Sequence, residues 1–169
     1  MVRQQLLVGE WMSSPVEVVT PDTPVADAYN MMMQRGIRRL PVVQRDHLVG
    51  IVTIGDLREA RPSPATSLSI YELNYLLTKL TVGQVMTHNP YSVQPTTSIQ
   101  DAARVMLHRK VGGLPVVNAE GTVVGVITES DIFRMLIDQW NYLDVEASTV
   151  GLVSAVLAPR PVEHAGQVT

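Results

Sequence analysis

Residues 37–43 read IRRLPVV and residues 111–117 read VGGLPVV, so the tetrapeptide LPVV occurs twice, 74 positions apart. The stretches that follow also match, since LVGIVTIGDL at 48–57 corresponds to VVGVITESDI at 123–132. Agreement at a nearly fixed offset over about fifty residues indicates one supersecondary unit present twice, with the two copies packed on each other. The repeat therefore decides the fold.

Each copy predicts the element order β-α-β-β-α. Short β-like runs at Val16–Thr20 and Tyr91–Val93 are each followed by a proline, and apolar residues at helical spacing come next. Gly36 is typical of a helix end. The two β-branched runs around a polar turn then predict a hairpin, and a second helix begins near Thr53 or Thr128. The predicted fold class is α/β (α+β), built from two such repeats.

The first helix of each copy has a predicted cap. Thr23 before Pro24 has the pattern of an N-cap followed by proline at the first helical position. At the matching place, Thr97 and Gln100 have the spacing of a capping box.

The chain divides into four predicted segments. These are a first repeat at 1–60, a Pro- and Ser-rich linker with a connecting helix at 61–80, a second repeat at 81–144 and an extension at 145–169. The apolar stretch Val150–Leu157 predicts that the extension docks on the repeats or on a second copy of the chain. The alternative is a short, partly ordered tail.

Composition excludes several classes of function. The 169 residues contain no cysteine and carry a net charge of −3, so disulfides, thiolate chemistry and an electrostatic attraction to nucleic acid are not expected. The four histidines are dispersed, which predicts no metal site, and no catalytic motif occurs. The start MVRQQLLVGEW lacks the apolar stretch of a signal peptide, and no apolar run is long enough to span a bilayer. The expected location is therefore cytoplasmic, and no membrane partner is expected.

Each copy of the repeat has a Met followed three or four residues later by Pro (12–15 and 86–90), then a helix, LPVV and G-h-h-T-x-x-D, where h is an apolar residue. Two tandem copies of this pattern resemble a pair of cystathionine-β-synthase (CBS) domains. Such a pair is called a Bateman module, and small stand-alone bacterial CBS-pair proteins are similar over roughly residues 8–140. The resemblance implies a regulatory module, not an enzyme, with its repeats packed pseudo-symmetrically. It also implies that clefts between the repeats bind AMP, ADP, ATP or S-adenosylmethionine.

The resemblance assigns the T-x-x-D motif to the ribose of such a ligand. A carboxylate offers two acceptor oxygens to the two ribose hydroxyls, and threonine or serine adds a hydroxyl beside backbone N–H groups that favour phosphate. The matching residues are Thr53 and Asp56 in the first repeat, and Thr128, Ser130 and Asp131 in the second. The alternative is a plain helix cap, and both interpretations can hold together. Thr23 and Thr97 are further candidates, for which the cap is the favoured interpretation.

The resemblance also places the residues before LPV in the clefts. Ile37 and Val111 would contact the adenine, and the next two positions would face the phosphates. Arg38 and Arg39 would then bind phosphate in one cleft, whereas Gly112–Gly113 would leave open space in the other. The two clefts are expected to differ. The alternative is that both arginines are solvated charges beside a buried strand.

Partners are predicted from the last helix. Its apolar residues cover a wider arc than one core-facing stripe needs, which predicts a homodimer; they are Ile132, Phe133, Met135, Leu136, Ile137, Trp140 and Leu143. Any regulatory output would act through an unknown effector protein or through self-assembly. The alternative is a scaffold that dimerises without a ligand. The sequence predicts no cofactor and leaves open whether magnesium accompanies the nucleotide.

Overall fold

The computed structural model describes the backbone of residues 6–60 and 79–149, and side chains as far as residue 140. The described chain forms two compact units, one ending at Ile132 and the other beginning at Phe133. Most of the predicted linker and connecting helix, and the tail from residue 150, lie outside the described residues.

The predicted order of helix, hairpin and helix is confirmed in both repeats. The first repeat contains α1 (Val8–Trp11), α2 (Val25–Arg35), β1 (Arg39–Gln44), β2 (His47–Thr53) and α3 (Ile54–Glu59). The second contains α4 (Val82–Val85), β3 (Thr87–His88), α5 (Ile99–Arg109), β4 (Gly113–Val117), β5 (Val123–Thr128) and α6 (Glu129–Thr149). Strands β1 and β2 pair antiparallel, as do β4 and β5, so each LPVV run begins a hairpin as expected.

The turns that end α2 and α5 require left-handed backbone. Gly36 ends α2 with φ 65°, as its sequence position predicts, because glycine has no Cβ to oppose this conformation. In the second repeat Lys110 takes the same role with φ 55°.

The β-like runs before α2 and α5 are shorter than predicted. Each contributes one parallel bridge, Val19 to Val42 in the first repeat and Val93 to Val116 in the second. Two backbone hydrogen bonds hold Val19, one from its N–H to Pro41 and one from the N–H of Val43. The turn that follows each run ends the pairing after that single residue.

The predicted caps at Thr23 and Thr97 are wrong by one residue. Pro24 is the N-cap of α2, and Ser98 is the N-cap of α5, where its hydroxyl accepts a hydrogen bond from the N–H of Asp101 at 3.0 Å. The Thr23 hydroxyl accepts from the N–H of Thr20, and the Thr97 hydroxyl accepts from the N–H of Gln94. Both threonines therefore close the turn before the helix instead of capping it.

The two repeats exchange their leading segments. Strand β3 of the second repeat pairs with β2 of the first, through Thr87 and His88. Ser13, from the start of the first repeat, bridges to Val126 in β5 of the second. Helices α1 and α4 also bind to the opposite repeat. Val8 of α1 donates its N–H to the carbonyl of Thr97, and Val82 of α4 donates its N–H to the carbonyl of Thr23. Each repeat is thus completed by a segment of the other.

Equivalent residues of the two repeats meet each other at their interface. His47 and Thr122 form an antiparallel bridge. They are equivalent in the repeat, since His47 is the first residue of β2 and Thr122 directly precedes β5. Contact between equivalent positions is what a pseudo-twofold arrangement requires, so the repeats are packed pseudo-symmetrically as predicted.

The core of the first repeat lies between its helices and its sheet. It contains Val25, Ala28 and Met32 of α2 together with Leu40, Val42 and Val52 of the hairpin. Val82 from α4 belongs to the same cluster and is fully buried. The exchanged segments therefore contribute to the hydrophobic core as well as to the sheets.

The second unit is described as far as the end of α6. Phe133, Ile137 and Trp140 of this helix are 63%, 52% and 60% exposed, and their i, i+4, i+7 spacing places them on one face. None of the described helices has both the length and the apolar character needed to cross a membrane.

Candidate ligand-binding cleft

A cavity of about 590 Å³ lies within the first compact unit, between residues of both repeats. Its walls come from the β1–β2 hairpin, the start of α3, the segment around β3 and the segment that leads into β4. The lining residues are Arg39, Ile51, Thr53, Asp56, Thr87, His88, Asn89, Pro90, Tyr91, Lys110, Val111, Gly112, Gly113, Leu114 and Pro115. The volume is within the usual range for small-molecule sites.

Thr53 and Asp56 form the polar corner of the cavity at the start of α3. The N–H of Thr53 donates to Oδ2 of Asp56 at 2.7 Å, and its hydroxyl donates to the same oxygen at 2.8 Å. The N–H of Asp56 donates to the Thr53 hydroxyl, which completes a capping box. The cap interpretation is therefore correct for this motif. The cap uses Oδ2, and Oδ1 of this half-buried, cavity-lining carboxylate takes no part in the cap.

The second T-x-x-D motif has the same local geometry. The N–H and the hydroxyl of Thr128 donate to Oδ2 of Asp131 at 2.8 and 2.7 Å. The two motifs differ in exposure, since Asp131 is only 3% exposed whereas Asp56 lines the cavity. Neither Thr128 nor the exposed Ser130 lines this cavity.

Arg39 enters the cavity from the first residue of β1. A Cβ atom placed on Gly113 would lie 2.9 Å from Cζ of Arg39, and one placed on Gly112 would lie 3.2 Å from its Nη2. The guanidinium therefore lies in the space that the two glycines leave empty. In the part of the chain that the structure describes, this guanidinium forms no hydrogen bond and no ion pair within 4.0 Å.

The electrostatic surroundings of Arg39 are mixed. Partial burial lowers the pKa of the Arg39 guanidinium, and the charge of Arg38 lowers it further, whereas Glu129 and Asp131 act in the opposite direction. A guanidinium nevertheless stays protonated in proteins at neutral pH. The cavity thus contains a half-buried cation whose five N–H donors are available to an anion.

The structure changes the two-cleft interpretation of the arginine and glycine pairs. Arg39 and Gly112–Gly113 were expected in different clefts, but all of them line one cavity. The reason is that positions 39 and 113 are equivalent in the repeat and meet each other at the pseudo-twofold interface. Arg38 does not line the cavity and is exposed.

The remaining candidates have different surroundings. Val111 lines the cavity, while its equivalent Ile37 is half-buried and packs against the core of the first repeat. Thr23 and Thr97 do not line this cavity, in keeping with their place in turns. The structure therefore assembles Thr53, Asp56, Arg39, Val111 and Gly112–Gly113 in one place.

Sequence reasoning missed the wall made by residues 87–91 and by Lys110. Tyr91 is 49% exposed, and its ring also receives the guanidinium of Arg109, which lies 4.4 Å from the ring centroid. Asn89 has φ 47°, and this left-handed residue directs the chain from β3 along the cavity. The Asn-Pro pair at 89–90 is a turn signal, but only the exchange of β3 brings that turn to Asp56.

Among the described residues, no group of three or more histidine or acidic side chains could hold a metal ion. The polar groups of the cavity are suited to an organic anion: one carboxylate for hydroxyl groups, one guanidinium for negative charge, and a half-exposed aromatic ring.

Comparison with known proteins identifies the repeat. The family model for the CBS domain matches residues 8–63 and again residues 82–138. A CBS domain-containing protein of Dictyostelium discoideum is 34% identical over 134 residues, which cover 79% of this chain and 92% of that protein.

Solved structures agree with the fold. The chloroplastic CBSX2 protein of Arabidopsis thaliana, whose structure was determined in complex with AMP, is 32% identical, with a TM-score of 0.65 over 79% of this chain and 97% of that chain. This chain spans 62% of the full length of CBSX2. The CBS domain pair of protein MJ0100, in complex with 5′-methylthioadenosine and S-adenosyl-L-methionine, is 26% identical, with a TM-score of 0.67 over 80% of this chain and 97% of that chain. With both repeats matched in sequence and in structure, the chain belongs to the CBS domain family as a tandem CBS pair.

Proposed function

We propose that this chain is a regulatory module that binds an adenosine-containing ligand in the cavity between Asp56 and Arg39. The ligand classes are AMP, ADP, ATP and S-adenosylmethionine, and the output acts through an effector protein or through self-assembly. The observation that carries the proposal is the meeting of a half-buried carboxylate and a half-buried guanidinium in one cavity of about 590 Å³.

Each part of the ligand has a matching group. Oδ1 of Asp56 accepts from the ribose hydroxyls, since the cap leaves this oxygen unused. Val111 and Tyr91 offer apolar surface to the adenine, and the Arg39 guanidinium binds phosphate or carboxylate. The complexes of CBSX2 with AMP and of MJ0100 with S-adenosyl-L-methionine support this ligand class.

We assign the primary site to the Asp56 cavity and not to its counterpart. Asp131 is 3% exposed and is engaged by Thr128, so its carboxylate is less accessible than that of Asp56. Thr128, Ser130, Asp131 and Ile37 would define a second, weaker site. Arg39 supplies a cation for the phosphate of AMP, so we assign no magnesium ion to the binding of that ligand.

Isothermal titration of the whole chain with AMP, ATP and S-adenosylmethionine tests the proposal. We expect micromolar binding of at least one ligand, and we expect Asp56→Asn to weaken it about tenfold or more, because a charged hydrogen-bond acceptor is lost. Asp131→Asn is the matched comparison, since it changes the equivalent capping carboxylate outside the cavity and should affect only the second, weaker site. Equal losses in both variants would contradict the assignment of the site.

A second candidate function is a scaffold that self-associates without a ligand. The exposed face of Phe133, Ile137 and Trp140 favours it, because contiguous exposed apolar residues usually mark an interaction surface. The same titrations separate the two functions. Absence of heat with all three ligands, together with a stable dimer, would favour the scaffold.

A further inference from the structure

Glu129 is a second charged group beside Arg39. The Oε2 atom of Glu129 lies 3.1 Å from the position of a Cβ on Gly112, and Nη2 of Arg39 lies 3.2 Å from the same position. The N–H of Glu129 also donates to the carbonyl of Gly112, which fixes the start of α6 next to the cavity wall. Gly112 therefore has a carboxylate and a guanidinium close to it.

Neither of these two charges has a counterpart at the equivalent position of the other repeat. Arg39 is equivalent to Gly113, and Glu129 is equivalent to Ile54. The arginine of the first repeat and the glutamate of the second thus meet at the interface, while the equivalent pair on the other side, Gly113 and Ile54, carries no charge. The cavity therefore has a charge asymmetry between the two repeats.

Arg39 and Glu129 do not form a direct ion pair. Arg39 and Glu129 have no oxygen–nitrogen distance within 4.0 Å, so the guanidinium is attracted by the carboxylate but not held by it. Arg39 is half-buried and Glu129 is exposed, and charges a few ångströms apart still attract each other in such a partly aqueous setting. An anion that approaches Arg39 from the cavity therefore also feels the repulsion of Glu129.

Resting on the proposed nucleotide-binding function, we propose that Glu129 is a specificity-determining residue that sets the charge preference of the cleft. Its carboxylate competes with the ligand phosphate for Arg39. This competition penalises each added negative charge, so the cleft prefers adenosine ligands with few negative charges, such as AMP or S-adenosylmethionine, over ATP. Glu129 does not contact the uncharged part of the ligand.

The test compares AMP, ATP and adenosine on the wild type and on Glu129→Gln by isothermal titration. We expect Glu129→Gln to tighten AMP binding about three- to tenfold, the range for two unit charges at a few ångströms in a partly aqueous setting. The gain should be larger for ATP and should be absent for adenosine. Raising the salt concentration should reduce the gain, because screening weakens the repulsion.

Two further variants control the experiment. Glu120→Gln removes the same charge from an exposed turn residue between β4 and β5 and should leave all three affinities unchanged. Glu129→Gln introduced into Arg39→Gln should give a smaller gain for AMP than it gives in the wild type, since only the direct repulsion between Glu129 and the phosphate then remains to be removed. Such coupling is what a double-mutant cycle detects.

The outcomes distinguish this inference from the proposed function. If the wild type binds AMP and adenosine but Glu129→Gln changes both equally or neither, Glu129 sets no charge preference and the inference is overturned. If no variant binds any of the three ligands, this inference is overturned, and if S-adenosylmethionine also fails to bind the wild type, the proposed function itself is wrong. A gain confined to the phosphorylated ligands supports it.

Discussion

The guanidinium of Arg39 lies in the space that a side chain at Gly113 would fill. These two residues are equivalent in the internal repeat, and they meet because equivalent residues face each other across a pseudo-twofold interface. Two arginines there would compete for the same volume and repel each other. Two glycines would leave a void without charge. One of each gives a filled space and a single guanidinium at this point of the cavity.

The first prediction concerns Gly113→Ala. Its Cβ would lie 2.9 Å from Cζ of Arg39 and 3.0 Å from the carbonyl oxygen of Ile127, and the second of these is backbone that cannot easily move. We expect the free energy of unfolding to fall by about 1–3 kcal/mol, as for other overpacked positions. Urea denaturation monitored by circular dichroism measures the change.

Two controls accompany Gly113→Ala. Gly55→Ala should be neutral or slightly stabilising, because its Cβ would meet only the Thr53 hydroxyl at an ordinary 3.4 Å within a helix. Adding Arg39→Ala to Gly113→Ala should recover part of the lost stability, since one of the two close contacts disappears. If Gly113→Ala were as stable as the wild type, Arg39 would not fill the space that we assign to it.

The second prediction separates phosphate binding from structural support at Arg39. Hydrogen bonds to charged groups contribute about 1.5–3 kcal/mol, so Arg39→Ala should raise the dissociation constant of AMP about ten- to a hundredfold. Adenosine binding should barely change, because Asp56 and the apolar walls remain. Arg38→Ala is the matched control, as Arg38 is exposed and does not line the cavity. Equal loss of AMP and adenosine affinity in Arg39→Ala would assign the residue to the fold alone.

The fold could be predicted because its signals are local and occur twice. Hairpins, helices and the Gly36 helix end depend on short patterns that the second copy repeats, and the structure confirms them. The exchange of leading segments depends instead on long-range pairing, such as Ser13 with Val126. A single bridge leaves no periodic pattern in the sequence, so the exchange could not be predicted.

The site was predictable in its residue types but not in its grouping. The T-x-x-D motif led directly to Asp56, whereas the proximity of Arg39 to Gly113 depends on which residues meet at the interface.

The predicted cap at Thr97 is wrong for a simpler reason. Thr97 is followed by Ser98, and either hydroxyl could cap α5; the structure uses Ser98 because Asp101 is placed to pair with it.

The third prediction tests the segment exchange. Val8 and Val82 are equivalent, fully buried, and each hydrogen-bonded to the opposite repeat. Val8→Ala and Val82→Ala should each lower the free energy of unfolding by about 2 kcal/mol, from lost apolar burial and the cavity left behind. Val18→Ala, at a residue that is 37% exposed, should change it by no more than about 0.5 kcal/mol. A Val8→Ala protein as stable as the Val18→Ala control would mean that α1 does not complete the second repeat.

The fourth prediction is a pH dependence at the start of α5. The hydrogen bond from the Ser98 hydroxyl, helped by Arg104, holds the pKa of Asp101 below its ordinary value of 3.8. The unfolded chain therefore binds this proton more readily, so the stabilisation is present above the unfolded pKa and is lost as the pH falls through the lower folded pKa. Asp101→Asn should flatten the rise of unfolding free energy with pH in this acidic range.

Asp27→Asn is the control for that experiment. Asp27 is equivalent to Asp101 in the repeat, but the N-cap of α2 is Pro24, which has no hydroxyl to donate. The same charge change at Asp27 should therefore alter the acidic slope less than at Asp101. Identical slopes for the two variants would show that the Ser98 bond does not contribute to the pH dependence.

The last prediction is that the chain is a homodimer that uses the exposed face of α6. Phe133, Ile137 and Trp140 lie on one side of the helix and are more than half exposed, which is costly in water unless another surface covers them. Light scattering at concentrations on the order of tens of micromolar should give the mass of two chains, and Ile137→Glu should shift it towards one, because a buried unpaired carboxylate opposes association. Gln139→Glu adds the same charge at an exposed polar residue of the same helix and should leave the dimer intact. A monomeric wild type would rule out self-association through this face and would leave it free for a different protein.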